Sequence, residues 1–397
     1  MKFVIRKKNL KFFSLLLVLS CLFSFNIGAE SPSQRGEHPD ISNSDPLQLN
    51  CKAAILIEAN TETVLYEKNA DEALPPASVT KVMTLLLVME AIENGKINYT
   101  DKVRASANAC SMGGSQIYLR ENEEMTVDDL LKSVIIASAN DAAVALAEYI
   151  CGSEEIFVQK MNEKAAELGM ENTRFENTNG LDDTVENHVT SARDIAIMSS
   201  ALIKYPKITE YSSVWMSSIR EGAFELTNTN RLIRFYRGAT GLKTGSTDKA
   251  GFCISATAVR GDMSLICVVM GADTRDERNA IATKLLDYGF NNYRIFSDTG
   301  DIINGIPILK GESATFSAEY RSVKIVVPKS TGTIRAGISI PQNISAPVKK
   351  GDIVGIVSYS DGKDEIFQID IIACETVDKC SFFDLLVHFL KKCAQIV

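Results

Sequence analysis

The sequence predicts a mixed α/β domain, in which an antiparallel sheet is flanked by helices, followed by a smaller all-β domain and a terminal amphipathic helix. Two β-rich hairpin patterns, at 52–72 and 251–271, bracket a run of helical patterns. Short β-type runs separated by glycine and proline fill 292–379, and residues 380–397 carry their apolar side chains on one helical face. Because strands at both ends enclose the helices, we expect the two hairpins to share one sheet.

The amino terminus has the pattern of a secretory signal peptide, which we place at residues 1–29. Five lysine and arginine residues precede an apolar run from Phe12 to Phe25, and Ile27-Gly28-Ala29 follows it as a small-residue exit. A transmembrane anchor is the alternative, but the uncharged stretch is shorter than the roughly 20 residues that span a bilayer. Residues 30–50, rich in Ser, Pro, Asp and Asn, are predicted to be a solvated leader.

Residues 51–291 are predicted to form the larger domain. Its two hairpins turn at Asn60-Thr61-Glu62 and at Arg260-Gly261-Asp262. Pro75 and Pro76 pre-set the entry of a helix that is apolar on nearly every face, which predicts a buried helix. From apolar periodicity and capping signals, helices are predicted at 79–92, 126–150, 153–168, 191–204 and 276–288.

The second domain, at 292–379, is predicted from runs such as "SVKIVV", "DIVGIVSY" and "IFQIDIIA". The charges of the helix at 380–397 forbid a transmembrane span. We therefore expect it to make peripheral membrane contact, with its lysines near anionic head groups. A helix docked on the β-rich domain is the alternative.

Composition limits the classes of function. With 397 residues, 45% of them hydrophobic and 23% charged, the chain is a folded protein large enough for two domains. Its net charge of −8, more negative without the signal peptide, argues against nucleic acid as a partner. The nine cysteines form no C-x-x-C pair, so no metal site is predicted. Cys253 and Cys267 are expected to be buried free thiols, and Cys374 with Cys380 is one possible disulfide.

A lysine in an apolar helix is the first chemical signal. Ser78 and Lys81, three residues apart, share a face at the start of the helix. Burial disfavours the ammonium form and lowers the pKa of the lysine, so Lys81 becomes a base that can take the proton of the Ser78 hydroxyl. By itself this S-x-x-K pattern occurs by chance in many helices.

Two further motifs make chance improbable. Ser138-Ala139-Asn140 lies inside a predicted helical region, and Lys243-Thr244-Gly245 lies at the edge of the second hairpin. S-x-x-K, a serine/asparagine triplet and K-T-G, in this order, are the signature of penicillin-binding proteins and class A β-lactamases.

The chain thus resembles the serine-type D-alanyl-D-alanine carboxypeptidases of the low-molecular-mass penicillin-binding protein family. The resemblance runs from about Cys51 to the carboxyl terminus and includes "GGSQIYL" at 113–119, "MNEKAAELGMENTRFENTNGL" at 161–181 and "GLKTGSTDKAGFCISATA" at 241–258. It implies a penicillin-binding/β-lactamase-like fold for the first domain, and the β-rich domain with a terminal amphipathic helix is also the layout of that family.

The resemblance also implies catalytic roles. Ser78 would be the acylated nucleophile and Lys81 its general base. Ser138 would relay a proton to the leaving D-alanine, Asn140 would hold the amide of the substrate, and Lys243 would maintain the electrostatics around Ser138.

Substrate-binding roles follow in the same way. Thr244, Gly245 and Ser246 would pair with the substrate strand, and the backbone N–H groups of Ser78 and Ser246 would form the oxyanion hole. Arg278, in "TRDERN", would bind the terminal carboxylate, although a surface arginine in an acidic cluster is the alternative. No metal or organic cofactor is implied.

Other functions are less well supported by the residues present. A Ser-His-Asp hydrolase needs a histidine, and His188 has no accompanying G-x-S-x-G motif. A β-lactamase needs a deacylating glutamate, for which Glu176 with Asn179 is a candidate, but the flanking sequence matches the carboxypeptidases better. A D,D-endopeptidase or transpeptidase would share the acyl-enzyme and remains open. A non-catalytic envelope-binding homologue is disfavoured by the intact motifs.

The implied function is removal of the terminal D-alanine from peptidoglycan stem peptides ending in D-Ala-D-Ala, with inhibition by penicillin and other β-lactams. The implied location is outside the cell, at the outer face of the cytoplasmic membrane or in the cell envelope.

Overall fold

The computed structural model describes residues 47–183, 185–381, 386 and 390. The predicted signal peptide at 1–29, most of the leader and nearly all of the terminal helix at 380–397 lie outside the described residues.

A five-stranded antiparallel sheet forms the centre of the first domain. It has the strand order β2-β1-β9-β8-β7, so the two predicted hairpins meet where β1 pairs with β9 and Leu56 lies opposite Cys267. The prediction that they share one sheet is therefore confirmed. The strands of this domain are β1 (Ala53–Glu58), β2 (Val64–Lys68), β3 (Lys102–Arg104), β4 (Glu124–Thr126), β5 (Met216–Ile219), β6 (Phe224–Thr227), β7 (Ala239–Thr247), β8 (Gly251–Arg260) and β9 (Met263–Ala272).

Helices cover both faces of this sheet. Ile55 and Ile57 of β1 pack into a core shared with the helical layer, whereas Leu56 packs into a second core with Leu285 and Leu286 of the last helix. This explains why β1 is apolar at successive positions instead of alternating. The helices are α1 (Lys81–Glu93), α2 (Ala107–Cys110), α3 (Val127–Lys132), α4 (Asn140–Cys151), α5 (Glu154–Glu167), α6 (Ala192–Leu202), α7 (Pro206–Ser212), α8 (Leu232–Phe235) and α9 (Arg275–Asn292).

The prediction of one continuous helix at 126–150 is wrong. A π-turn at Ser133–Ala137 ends in Ser138, whose left-handed backbone (φ 64°) separates α3 from α4. No glycine or proline marks this break, and the apolar spacing continues through it. The antiparallel pair β5 and β6 was also not predicted.

The second domain is all β. Its main sheet has the order β11-β12-β16-β15-β14, and β10 pairs with β13. Tyr359 belongs to the core of this domain, and Phe296 and Phe367 pack against it as an aromatic cluster. The strands are β10 (Tyr293–Asp298), β11 (Asp301–Pro307), β12 (Thr315–Tyr320), β13 (Val323–Pro328), β14 (Arg335–Ser339), β15 (Ile353–Ser360) and β16 (Glu365–Ala373).

Four cysteines were the subject of sequence-based expectations, and none of these four forms a disulfide in the described structure. Cys253 and Cys267 are buried free thiols, as expected. Cys374 and Cys380 are also free, so the possible disulfide between them is not formed. Among the described residues, no helix combines the length and apolarity needed to cross a bilayer.

A buried carboxylate fixes the segment that precedes the second motif. Asp141, at the start of α4, accepts hydrogen bonds from the backbone N–H groups of Ile117, Leu119 and Ala142. The nearby Gly113 carbonyl accepts a hydrogen bond from Asn140 Nδ2 at 2.7 Å. Asp141 thus ties the 113–119 segment to the helix that carries Asn140.

We expect Asp141→Ala to lower the free energy of unfolding by about 3 kcal/mol or more, because it leaves three backbone N–H groups without their acceptor. Urea unfolding measures this loss. Glu163→Ala, which removes an exposed carboxylate from α5, is the control and should change stability by less than about 0.5 kcal/mol. Equal effects of the two substitutions would contradict the structural role of Asp141.

Candidate active site

The three motifs meet in one cleft of about 480 Å³. Side chains from the turn before α1, the 113–119 segment, the α3–α4 break, β7 and α9 line it, together with residues from the stretch 215–231. The lining residues are Ser78, Ser115, Ser138, Trp215, Thr227, Asn228, Thr229, Arg231, Thr244, Gly245, Ser246, Arg275 and Arg278. Lys81, Asn140 and Lys243 are buried among these elements.

The amine of Lys81 is fully buried and has three oxygen neighbours. Its Nζ atom lies 2.6 Å from Asn140 Oδ1, 2.6 Å from the carbonyl oxygen of Asn179 and 2.9 Å from Ser78 Oγ. Amide oxygens can only accept, so they take two N–H groups of the amine. In the neutral amine the remaining position is a lone pair, and it faces the Ser78 hydroxyl.

Burial is the main reason for the low pKa of Lys81. Desolvation places this pKa well below its usual value, and the nearby Lys243 lowers it further against the opposing effect of Asp141. The predicted burial of Lys81 is therefore observed, and its role as a base stays a prediction.

The carbonyl of Asn179 is a part of the site that the sequence analysis missed. It belongs to a tight turn in which Asn177 Oδ1 accepts the N–H of Gly180, and in which Thr84 donates to the carbonyl of Thr178. Because a backbone atom makes the contact, the residue type gives no direct signal. The asparagine-glycine turn in "ENTNGL" was the available indication.

Ser138 and Lys243 form a second serine–lysine pair. Lys243 Nζ donates to Ser138 Oγ at 2.8 Å and to the carbonyl of Thr244 at 2.7 Å. Burial lowers the pKa of Lys243 to about 7, with a smaller contribution from the charge of Arg278. The left-handed backbone of Ser138 directs this hydroxyl toward β7 instead of along the helix.

The side chain of Asn140 already makes two hydrogen bonds within the protein. Its Oδ1 atom accepts from Lys81, and one of its two Nδ2 hydrogens is used by the Gly113 carbonyl. The second Nδ2 hydrogen remains for a ligand. Its assignment to the substrate amide stays a prediction.

Strand β7 borders the cleft as an edge strand. It pairs with β8 on one side only, so its other edge can receive an extended peptide. A Cβ atom at Gly245 would lie 2.7 Å from the backbone nitrogen of Ser78. The glycine therefore allows β7 to lie directly against the turn that carries Ser78, which brings the predicted oxyanion donors of Ser78 and Ser246 to the same wall.

Arg278 is buried, so the alternative of a surface arginine is wrong. It is 3% exposed, and its guanidinium contacts the Cys253 carbonyl and Asn279 Oδ1. Desolvation, followed by the charge of Arg275, lowers its pKa to about 10. Arg231 and Arg275 line the same cleft, and no aspartate or glutamate is among the lining residues of the described chain. The sequence analysis did not predict these two arginines.

The alternative bases do not reach Ser78. Glu176 interacts with the N–H of Asn187 and with Arg174, and it is not among the lining residues. Both ring nitrogens of His188 are occupied, by Thr80 and by the N–H of Glu176. Within the described ranges, no three His, Cys, Asp or Glu residues are grouped so that they could hold a metal ion.

A serine hydroxyl beside a buried amine of lowered pKa, next to an open strand edge, is the arrangement of a serine hydrolase of the acyl-enzyme type. Residues 40–274 match the family described as D-alanyl-D-alanine carboxypeptidase, and residues 290–379 match the family described as penicillin-binding protein 5, C-terminal domain. The chain belongs to the D-alanyl-D-alanine carboxypeptidase family. The predicted family, fold class and enzyme class are confirmed, whereas the roles of the individual site residues stay predictions.

Individual relatives agree with this assignment. The D-alanyl-D-alanine carboxypeptidase DacF of Bacillus subtilis (strain 168) is 43% identical over 361 residues, which cover 89% of this chain and 91% of that protein. Penicillin-binding protein 5 from Haemophilus influenzae has a TM-score of 0.74 at 31% identity, covering 85% of this chain and 100% of its own. Penicillin-binding protein D2 from Listeria monocytogenes, solved in an ampicillin-bound form, has a TM-score of 0.56 at 34% identity, covering 61% and 98%.

We expect Arg278→Gln to raise the pKa of Lys243 above its value of about 7, because a nearby cation disfavours the ammonium form. Lysine ¹³Cε chemical shifts followed through a pH titration report this pKa. Arg275→Gln, which removes a charge that does not act directly on Lys243, should produce a smaller change. A pKa that falls or stays constant in Arg278→Gln would contradict the proposed coupling.

Proposed function

We propose that this protein is a D-alanyl-D-alanine carboxypeptidase that removes the terminal D-alanine from peptidoglycan stem pentapeptides through an acyl-enzyme on Ser78. The observation that carries the proposal is the 2.9 Å contact between Ser78 Oγ and the amine of Lys81, whose other two neighbours are acceptors only. Family membership supplies the substrate class. β-Lactams would acylate the same serine.

The chemistry begins with proton transfer from Ser78 Oγ to Lys81 Nζ as the oxygen attacks the carbonyl carbon of the penultimate D-alanine. The oxyanion that forms is stabilised by the backbone N–H groups of Ser78 and Ser246. When the C–N bond breaks, the Ser138 hydroxyl, held by Lys243, delivers its proton to the leaving amine and takes up the proton that Lys81 had accepted. D-alanine departs, Ser138 remains a hydroxyl and Lys81 is neutral again. Water then attacks the ester on Ser78, which releases the shortened peptide.

Substrate orientation follows from the walls of the cleft. The peptide pairs with the free edge of β7 at Thr244–Ser246, and its terminal carboxylate points toward Arg278. A buried guanidinium that lacks an acidic partner among its hydrogen bonds favours a carboxylate ligand, because the ligand supplies the missing counter-charge. This supports the assignment of Arg278 to carboxylate binding.

The test is product identification with a matched covalent probe. The purified protein should convert a pentapeptide into tetrapeptide and D-alanine, and a fluorescent penicillin should label it, whereas Ser78→Ala should abolish both. Ser313→Ala in the second domain is the control. Intact pentapeptide together with cleaved cross-linked muropeptide would establish an endopeptidase instead, and folded protein without any labelling would establish a non-catalytic binding protein.

Lys81→Arg separates charge from basicity. Arginine stays protonated and carries a positive charge in place of the neutral amine, so it cannot accept the Ser78 proton. We expect Lys81→Arg and Lys81→Met to lower the acylation rate by about 10²- to 10⁴-fold alike. In the wild type, acylation should increase with pH as the Lys81 ammonium loses its proton. Labelling of Lys81→Arg at the wild-type rate would refute the base assignment.

We further propose that residues 1–29 direct export, that 51–291 and 292–379 are the catalytic and β-rich domains, and that 380–397 contacts the membrane from the envelope side. Supporting the last point, Leu386 and Leu390 are 42% and 57% exposed despite being apolar and one helical turn apart.

The chain without residues 1–29 should sediment with phosphatidylglycerol vesicles, since apolar burial and lysine charge both favour an anionic surface. Deleting 381–397 should abolish sedimentation while leaving pentapeptide cleavage intact. Replacing Leu386 and Leu390 by glutamate should weaken the sedimentation with vesicles. Undiminished sedimentation of the truncated chain would reject the membrane contact. A melting temperature of the truncated chain below that of the full chain would favour a helix docked on the β-rich domain.

A further inference from the structure

His188 is a buried histidine outside the three motifs, and both of its ring nitrogens have partners. It is 4% exposed. The backbone N–H of Glu176 donates to Nδ1 at 3.0 Å, and Nε2 lies 2.7 Å from Thr80 Oγ1. A backbone N–H can only donate, so Nδ1 is an acceptor and the ring proton of the neutral form resides on Nε2. His188 therefore donates to Thr80.

The hydrogen bonding continues from Thr80 to the nucleophile. The Thr80 hydroxyl, which accepts from His188, donates its own proton to the Ala77 carbonyl at 2.8 Å. That carbonyl belongs to the peptide unit whose other end is the N–H of Ser78. A directed chain of hydrogen bonds thus runs from Glu176 through His188 and Thr80 into the peptide unit that carries a proposed oxyanion donor.

The same peptide unit is held under steric constraint. Ala77 has a left-handed backbone (φ 48°), which a residue with a Cβ atom adopts only when its surroundings fix it. Gly180 approaches so closely that a Cβ atom there would lie 1.9 Å from the Ala77 carbonyl oxygen. Adjacent to Gly180 is Asn179, whose carbonyl accepts from Lys81. His188 accordingly links the segment that bears Ser78 to the turn that positions its base.

We propose that His188 is a positioning residue for acylation, which acts through Thr80 to orient the Ala77–Ser78 peptide so that its N–H faces the developing oxyanion. This role rests on the function proposed above. The titratable groups that act on the ring are Glu176, Asp182 and Lys81, but desolvation dominates and lowers the pKa of His188 to about 4. The ring is therefore neutral at neutral pH, as the donor pattern requires.

Replacing His188 by glutamine or by asparagine tests its hydrogen bonds to Thr80 and to Glu176 separately. In His188→Gln the side-chain amide reaches the position of Nε2 and can still donate to Thr80. In His188→Asn the amide oxygen replaces Nδ1 and can still accept from Glu176, but it does not reach Thr80. We expect His188→Asn to slow acylation by fluorescent penicillin about 10- to 100-fold, and His188→Gln to stay within about threefold of wild type.

The Thr80 variants test the same route independently. Thr80→Val removes the hydroxyl and should match His188→Asn, whereas Thr80→Ser keeps the hydroxyl and should restore the rate. The double variant Thr80→Val/His188→Asn should be no slower than either single variant, because both interrupt one chain. Thr257→Val removes another buried threonine hydroxyl, which contacts Thr240 far along β7 and β8, and should acylate normally.

The measurement is stopped-flow acylation, which separates the rate constant from the noncovalent dissociation constant, with a melting temperature for every variant. For His188→Asn and Thr80→Val we expect a smaller acylation rate constant and an unchanged noncovalent dissociation constant. It is overturned if His188→Asn and Thr80→Val acylate at the wild-type rate, or if His188→Gln and His188→Asn slow equally. An unacylated wild-type protein would refute the function proposed above as well, so the two failures are distinguishable.

Discussion

The burial of one amine determines how this active site is built. A charged ammonium without a counter-ion is destabilised inside a protein, so burial between α1, α4 and the Asn179 turn lowers the pKa of Lys81 and favours its neutral amine. Its two amide acceptors then fix where the remaining N–H groups point, and the lone pair is left for Ser78. On the proposed mechanism, the basicity of Lys81 and the orientation of its lone pair toward the Ser78 hydroxyl therefore have the same structural cause.

This arrangement requires three separate chain segments to meet within hydrogen-bonding distance of the Lys81 amine. Asn140 is positioned by α4, to which Asp141 ties the 113–119 segment. The Asn179 carbonyl is positioned by hydrogen bonds of its own turn and by Thr84. These supports are buried polar groups with hydrogen-bond partners, which specify one arrangement more strictly than apolar packing does. The large apolar core around α1 excludes the water that would otherwise stabilise the ammonium.

The sequence revealed those parts of the site in which the side chain itself is proposed to perform the chemistry. Ser78 with Lys81, Ser138 with Asn140, and Lys243 with Thr244 could be recognised because residue type and spacing carry the signal. The shared sheet was also predictable, because both hairpins have clear strand and turn patterns. The contribution of the Asn179 carbonyl was hidden because every residue has a carbonyl. The break at Ser138 was hidden because the apolar spacing of "SVIIASAN" is that of a helix, and only tertiary contacts with β7 select the left-handed conformation.

The residues that line the cleft also limit which group can act as the base in deacylation, the second half of the proposed reaction. Hydrolysis of the ester on Ser78 needs a base for the attacking water, and no carboxylate is among the lining residues of the described chain. Glu176 is held by Asn187 and Arg174, and His188 has no free nitrogen. On the proposed mechanism, Lys81 regains its neutral form once its proton has passed to Ser138. It is then the same lone pair, in the same position, that meets the water, so one buried amine serves acylation and deacylation in turn.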